Sequence, residues 1–291
     1  MTQLAEGEVG ARTAEVLEFL AERSLVVLTG AGCSTDSGIP DYRGPNSAAS
    51  AQSGETRGAR PPSVMTYQEF VSGPRAQQRY WGRSHLGWGR MRGAEPNAGH
   101  HALARIDPAL LITQNVDGLH ERAGSRRLVA LHGRIAEVVC LSCRAVTSRA
   151  ALHERLAELN PGFAERHRSA QVRPDGDVEL DDTHDFVVAG CRDCGGVLKP
   201  HVVFFGENVP AARVERCYDA VDALADGAGV LLVAGSSLTV MSGFRFVRRA
   251  AKAGTPVVIV NRGQTRGDDL ATYCLDTGTS EFLSALAARA A

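Results

Sequence analysis

The chain has 291 residues, of which 44% are hydrophobic and 22% charged, and its formal net charge is −1. The length suits one large domain, or a main domain with a small companion, and the near-neutral charge argues against nucleic acid as a bulk partner. No apolar stretch reaches the ~18–20 residues of a membrane span, and the N-terminal stretch has neither a signal-peptide apolar core nor an Arg-rich, acid-poor composition, so a cytoplasmic protein without membrane contact is expected.

Val16, Leu17, Phe19 and Leu20 recur at helical spacing, which predicts an amphipathic helix over 11–23. "LVVLT" (25–29) reads as a buried strand and runs into "GAGCSTDSGIPDYRG" (30–44). A strand followed by Gly-x-Gly opens many dinucleotide-binding units, yet Thr35 stands where the third glycine of G-x-G-x-x-G belongs. Residues 45–63 are polar and rich in Pro and Gly, and predict a flexible loop beside a cofactor. A helical region with Trp81 and Trp88 follows over 64–92, and Asn97 is placed to cap a helix through "AGHHALARI". Strands are expected at 109–115, 128–133, 201–206, 229–237 and 256–261, with helices near 212–227, 244–254 (closed by Gly254) and 281–291. Alternating apolar strands and helices predict an α/β fold, a Rossmann-like doubly wound parallel sheet. Its expected extent is 1–133 plus 201–291, interrupted by a small inserted zinc-binding module at 134–200.

That module carries four of the seven cysteines, as "CLSC" (140–143) and "CRDC" (191–194). Two such pairs offer four thiolates, the donor set of a closed tetrahedral zinc site, so Cys140, Cys143, Cys191 and Cys194 are expected to hold one structural Zn2+. Two redox pairs are the alternative, but a redox C-x-x-C opens a helix in a thioredoxin-like unit, and that setting is absent. The 47 residues between the pairs exceed the ~15–20 of common zinc ribbons, so a further segment is inserted there.

"TQNVDGLH" (113–120) lies at the carboxyl end of an expected strand, where ligands bind in open α/β sheets. Gln114, Asn115 and Asp117 suit ribose hydroxyls and a carboxamide; an ordinary polar turn is the other reading. His132 ends a strand on the same edge and is a candidate general base. His100 and His101 read as structural, whereas His153, His167 and His184 are expected to face solvent. "AGSSL" (234–238) and "VNRG" (260–263) are further strand ends suited to phosphate or ribose.

Taken together, "GAGCSTDSGIPDYRG", "TQNVDGLHERAG", "LHGRI", the two cysteine pairs, "KPHVVFFGE", "GSSLTV" and "VNRG" resemble the sirtuin family of NAD-dependent protein deacylases. "PNAGH", "RYW", "PDGDV" and "TRGDDLA" are similar to its mitochondrial and bacterial sirtuin-4-like branch. The resemblance implies cleavage of the nicotinamide–ribose bond of NAD and transfer of the acyl group of an acyl-lysine protein or peptide to ADP-ribose. It also implies roles. Gly30, Ala31, Gly32, Ser34 and Thr35 would lie at the pyrophosphate, and Asp41, Tyr42 and Arg43 in a loop closing over nicotinamide. Gln114, Asn115 and Asp117 would order nicotinamide and its ribose, with Asn115 taking part in catalysis and His132 as base. Gly235, Ser236, Ser237, Asn261, Arg262 and Gly263 would line the adenosine side, with Thr279 added from its C-terminal position. Val203, Phe204, Phe205, Gly206, Leu238 and Val240 would flank the acyl-lysine peptide. Tyr80 and Arg83 match a Tyr-x-x-Arg spacing found in sirtuins that remove acidic acyl groups, which implies a preference for longer or acidic acyl groups over acetyl. An NAD-dependent ADP-ribosyltransferase and a non-catalytic NAD-sensing module are alternatives; a nicotinamide dehydrogenase is disfavoured by the missing glycine.

Overall fold

The computed structural model describes residues 2–41, 64–167 and 183–289. The loop expected at 45–63, Tyr42, Arg43 and part of the inter-cysteine segment lie outside them. In chain order the elements begin with α1 (Thr2–Ala21), β1 (Leu25–Thr29), α2 (Tyr67–Phe70), α3 (Pro74–Gly93), α4 (Ala98–Ile106) and β2 (Leu110–Thr113). They continue with α5 (Leu119–Arg122), β3 (Leu128–Ala130), β4 (Gly133–Cys140), β5 (Val146–Ser148), α6 (Arg149–Leu159), α7 (Phe163–Arg166) and β6 (Leu198–Val202). The chain closes through α8 (Ala211–Asp222), β7 (Val230–Ala234), α9 (Met241–Lys252), β8 (Val257–Val260), β9 (Tyr273–Leu275) and α10 (Thr279–Arg289).

Six strands form one parallel sheet in the order β3-β2-β1-β7-β8-β9. They read as continuous apolar runs because both faces are covered. Leu25 and Val27 of β1 face one layer with Leu17, Leu103 and Phe282. Val26 and Leu28, one residue out of phase, face the other with Val221 and Phe246. The sheet order reverses between β1 and β7, so the loops that leave these two strands diverge and open a crevice at their carboxyl ends.

Three local features differ from the sequence expectations. The strand expected at 201–206 is displaced: β6 covers Leu198–Val202 and pairs antiparallel with β4 in a separate three-stranded sheet, β5-β4-β6. After Val202 the chain turns toward β3, where the Val203 amide donates to the His132 carbonyl at 2.8 Å, and Gly206 (φ 79°) ends any extended run. The boundary expected between residues 200 and 201 therefore falls inside a strand. The strand expected at 128–133 divides likewise, because Gly133 (φ 84°) redirects the chain from β3 into β4. At Gly133 a Cβ would stand 2.0 Å from the His201 carbonyl oxygen, so the redirection requires glycine. The three residues of β9 are too few to show a period, and it went unread.

Asn97 caps α4 as expected, accepting from the amides of Gly99 (3.0 Å) and His100 (3.2 Å). His100 is fully buried, and its ring lies against that of His120, with centroids 4.6 Å apart. His101 is exposed. His153, expected at the surface, instead stacks on His85 at 4.2 Å. Burial pushes His85 and His100 down to about 4 and His120 to about 3, from 6.5. These rings are neutral in the fold, while the unfolded chain protonates them near pH 6.5. Their contribution to stability is intact above pH 6.5 and is lost as pH falls toward 4. Denaturant titrations from pH 7.5 to 4 should show unfolding free energy falling below pH 6.5. Replacing both His100 and His120 by Asn should flatten that fall; an unchanged slope would locate the proton uptake elsewhere.

Candidate functional site

The four cysteines converge. Cys140 Sγ lies 3.5 Å from Cys194 Sγ, Cys143 Sγ lies 3.8 Å from Cys191 Sγ, and all four sulfurs sit within 4.8 Å of one another. Zinc–sulfur bonds of ~2.3 Å in a tetrahedron require sulfurs ~3.8 Å apart, so the spacing fits a zinc ion. The Cys143 and Ser142 backbone amides draw the Cys140 thiol down, toward the thiolate a metal needs, while the adjoining Cys194 and Cys140 sulfurs push the Cys143 thiol up. Four thiolates would fill every position of a tetrahedral zinc ion, the donor set of a structural rather than a catalytic site. The module it closes also borrows apolar surface, with Leu152, Leu156, Phe163 and Phe186 packing on Phe70 and Trp81 of α2 and α3. Metal analysis should find one zinc per chain. Cys191→Ala should lose zinc and lower the melting temperature; a zinc-free, equally stable Cys191→Ala protein would refute a structural role.

The crevice at the sheet switch is a cleft of about 610 Å³, within the range of small-molecule sites. Its floor is the contact between two glycine loops. The Gly32 amide donates to Gly235 O (2.9 Å), and a Cβ on Gly30 would come within 2.8 Å of the same oxygen. Gly30, Ala31 and Gly32 line the cleft, and the two glycines bring no side chain to it. Asn115 spends its amide nitrogen on Gly30 O (3.0 Å) and Ser34 Oγ (3.0 Å), while Ser34 donates to Asp117 Oδ2 (2.7 Å). Asp117 Oδ1 accepts the Leu119 amide at 2.9 Å. The three side chains clamp the glycine loop to the end of β2, and burial raises the Asp117 pKa against these bonds.

His132 stands at the other side of β2's loop. Its Nδ1 lies 2.9 Å from the Gln114 carbonyl oxygen, which only accepts, so Nδ1 carries the proton. Nε2 is then the lone-pair nitrogen, and it faces Ser242 Oγ at 2.7 Å. Desolvation holds the ring at about 4, so it is neutral and able to accept a proton at pH 7. Ser242, in the first turn of α9, carried no signal in the sequence beyond a serine at a helix start.

Most sequence-derived candidates meet in this cleft. Asp41, Gln114, Asn115, Asp117, Gly235, Ser236, Ser237, Asn261, Arg262 and Gly263 all line it, as does the wall from Val203 to Gly206, with Leu238 and Val240 across from it. Gln114 Oε1 accepts from Ser236 Oγ (2.7 Å), tying the two halves of the floor. Among the described candidates, three stand outside. Thr35 and Thr279 do not line the cleft; each donates to Gly32 O, at 3.1 and 3.2 Å, and supports the loop from behind. Tyr80 reaches the cleft, but Arg83 does not, and Ser84 takes its place in the lining.

The sequence profile of the Sir2 family matches residues 30–242. "NAD-dependent protein deacetylase 1" of Mycobacterium avium (strain 104) is 51% identical over 284 residues, covering 95% of each chain. "NAD-dependent protein deacetylase 1" of Streptomyces coelicolor is 53% identical over 264 residues, covering 89% of this chain and 83% of the relative. Among solved structures, "Sir2-p53 peptide-NAD+" superposes with a TM-score of 0.69 at 31% identity, covering 92% of this chain and 94% of that one. "Structure of Sir2Tm bound to a propionylated peptide" does so with 0.69 at 29% identity, covering 94% and 95%. By its glycine loops, its cleft and its length-wide similarity, the chain belongs to the Sir2 family.

Proposed function

We propose that this protein is an NAD-dependent protein-lysine deacylase, of the sirtuin-4-like branch, acting on longer or acidic acyl groups in preference to acetyl. The observation that carries the deacylase reading is the neutral His132, its Nε2 turned to the cleft at the point where the glycine loops meet the wall from Val203 to Gly206. NAD, as co-substrate, supplies the ribosyl carbon that the acyl oxygen attacks.

The residues divide the task. Gly30 and Gly32 receive the pyrophosphate on bare backbone, and Asn261 shapes the adenosine side by donating to Arg262 O (2.9 Å) and Gly263 O (3.0 Å). Asn115, Ser34 and Asp117 keep the loop in one conformation, so binding does not have to order it. Asp117, with both oxygens already engaged, orders the nicotinamide end mainly by fixing the loop, and retains lone pairs for a carboxamide. Asn115 Oδ1 remains available to the reacting ribose. His132 Nε2 accepts the ribose hydroxyl proton once that hydroxyl displaces Ser242 from it, and the Gln114 carbonyl keeps the ring in the required tautomer. The apolar side chains of Phe204, Leu238 and Val240 exclude water from the acyl-lysine.

His132→Ala should bind NAD as the parent does but turn over ~10²- to 10⁴-fold more slowly, the usual loss with a general base. Calorimetric NAD binding and initial rates on acyl-lysine peptides check this; a variant with most of the parent rate would exclude His132 as base. Because desolvation holds His132 near 4, the acid limb of kcat/KM should fall below pH 5 rather than near 6.5. The acyl preference is read from kcat/KM on acetyl- and glutaryl-lysine peptides of one sequence. Faster removal of glutaryl is expected, and a clear acetyl preference would reject the finer reading while leaving the deacylase intact.

A further inference from the structure

Arg149, the first residue of α6, is a buried charge without a counterion. None of its surface is exposed, and no ion pair reaches it among the described residues. Its guanidinium is held between the rings of Trp81 (5.1 Å) and Trp88 (5.0 Å). Nη2 donates to Ser84 O (3.1 Å) and Ser84 Oγ (3.3 Å), while Nε and Nη1 have no hydrogen-bond partner among the described residues. Burial lowers its pKa only to about 10, so it stays charged at neutral pH. The neighbouring rings of His85 and His153 are both shifted toward neutrality, so neither adds a like charge beside it. Isolated buried cations are costly, and one kept with two donors unspent is poised for an anion.

One small side chain links this cation to the cleft. Ser84 lines the cleft beside Tyr80, and its hydroxyl is also the group that Arg149 Nη2 touches. Arg83, the residue that the sequence pattern offered for charge recognition, is not part of the lining. Tyr80 and Ser84 line the same part of α3, and Arg149 is in hydrogen-bond contact with Ser84.

We propose that Arg149 forms a carboxylate subsite at the far end of the acyl pocket. It would receive the terminal carboxylate of a dicarboxylic acyl-lysine once Ser84 rotates away from the guanidinium. Once Ser84 Oγ leaves Nη2, that nitrogen and one of the unspent Nε and Nη1 form a planar edge that can take a carboxylate through two parallel N–H···O bonds, and the flanking indoles pack against the guanidinium. The inference rests on the acidic-acyl reading above and adds the residue that recognises the charge.

The test uses one peptide carrying either glutaryl-lysine or its terminal amide, glutaramyl-lysine, which has the same length and no charge. In the parent, kcat/KM for glutaryl should exceed that for glutaramyl by about 10- to 100-fold, the worth of hydrogen bonds to a charged group. In Arg149→Met, the ratio should fall to about one, chiefly through KM for glutaryl, with Arg149→Lys recovering part of it. Zinc content and thermal melting report folding. If Arg149→Met does not fold, Ser84→Val, which fills the passage, should abolish the same ratio. A parent with the charge preference and a folded Arg149→Met, or a Ser84→Val, that retains it would overturn the subsite and leave the acidic-acyl reading standing. A parent that treats glutaryl and glutaramyl alike would overturn both.

Discussion

The close approach of two backbones at the sheet switch governs the rest of the molecule. The loops after β1 and β7 touch through Gly32 and Gly235, whose peptide groups bond at 2.9 Å, and Gly235 takes φ 66° to do so. A Cβ on Gly235 would stand 2.4 Å from the Cys33 nitrogen, so no other residue permits the contact. Once it forms, the floor of the cleft is backbone, and every side chain that acts there must enter from the rim. This explains why the third glycine of a dinucleotide fingerprint is dispensable. The segment after Gly30 makes short 3₁₀ turns over Ala31–Cys33 and Thr35–Ser37 instead of opening a long helix, so no helix has to pack closely on the strand at Thr35.

The polar groups of the site are arranged around that floor in two connected sets. Ser34, Asn115 and Asp117 secure the β1 loop, while Gln114, Ser236, His132 and Ser242 link the ends of β2 and β7 to the start of α9. Gln114 belongs to both sides: its side chain accepts from Ser236, and its carbonyl sets the histidine tautomer. Low local dielectric strengthens these bonds and makes each unpaired member costly, so the set holds one geometry.

The smaller unit is attached by shared packing as well as by its metal. Its aromatic cluster includes residues of α2 and α3, and Trp81 donates from its indole nitrogen to Leu198 O at 3.0 Å. The helix carrying Tyr80 and Ser84 is thus a wall of the cleft on one side and the core of the zinc-binding unit on the other. That dual position brings Arg149, from the inter-cysteine segment, within reach of a cleft formed mainly by distant strand ends.

The parallel sheet, the four-cysteine cluster and the strand-end loops that line the cleft were all legible in the sequence. Each of these rests on a short local pattern: apolar strand runs, two C-x-x-C turns, and glycines and amides at strand ends. Asn97 as a cap, Gly254 after α9 and the apolar phase of β1 belong to the same class, because they depend on neighbours within a turn or two. Tertiary structure alone decided where β6 ends, that Thr35 and Thr279 stand behind the glycine loop, that Ser242 faces His132, and that Ser84 rather than Arg83 meets the cleft. It also decided that His153 is half-buried against His85 and that Arg149 is fully buried between Trp81 and Trp88. The physical reason is common to all of them. Which side of a helix or turn a polar residue presents, and what meets it there, depends on partners tens to hundreds of residues away, and a polar residue carries no periodic signal for that contact.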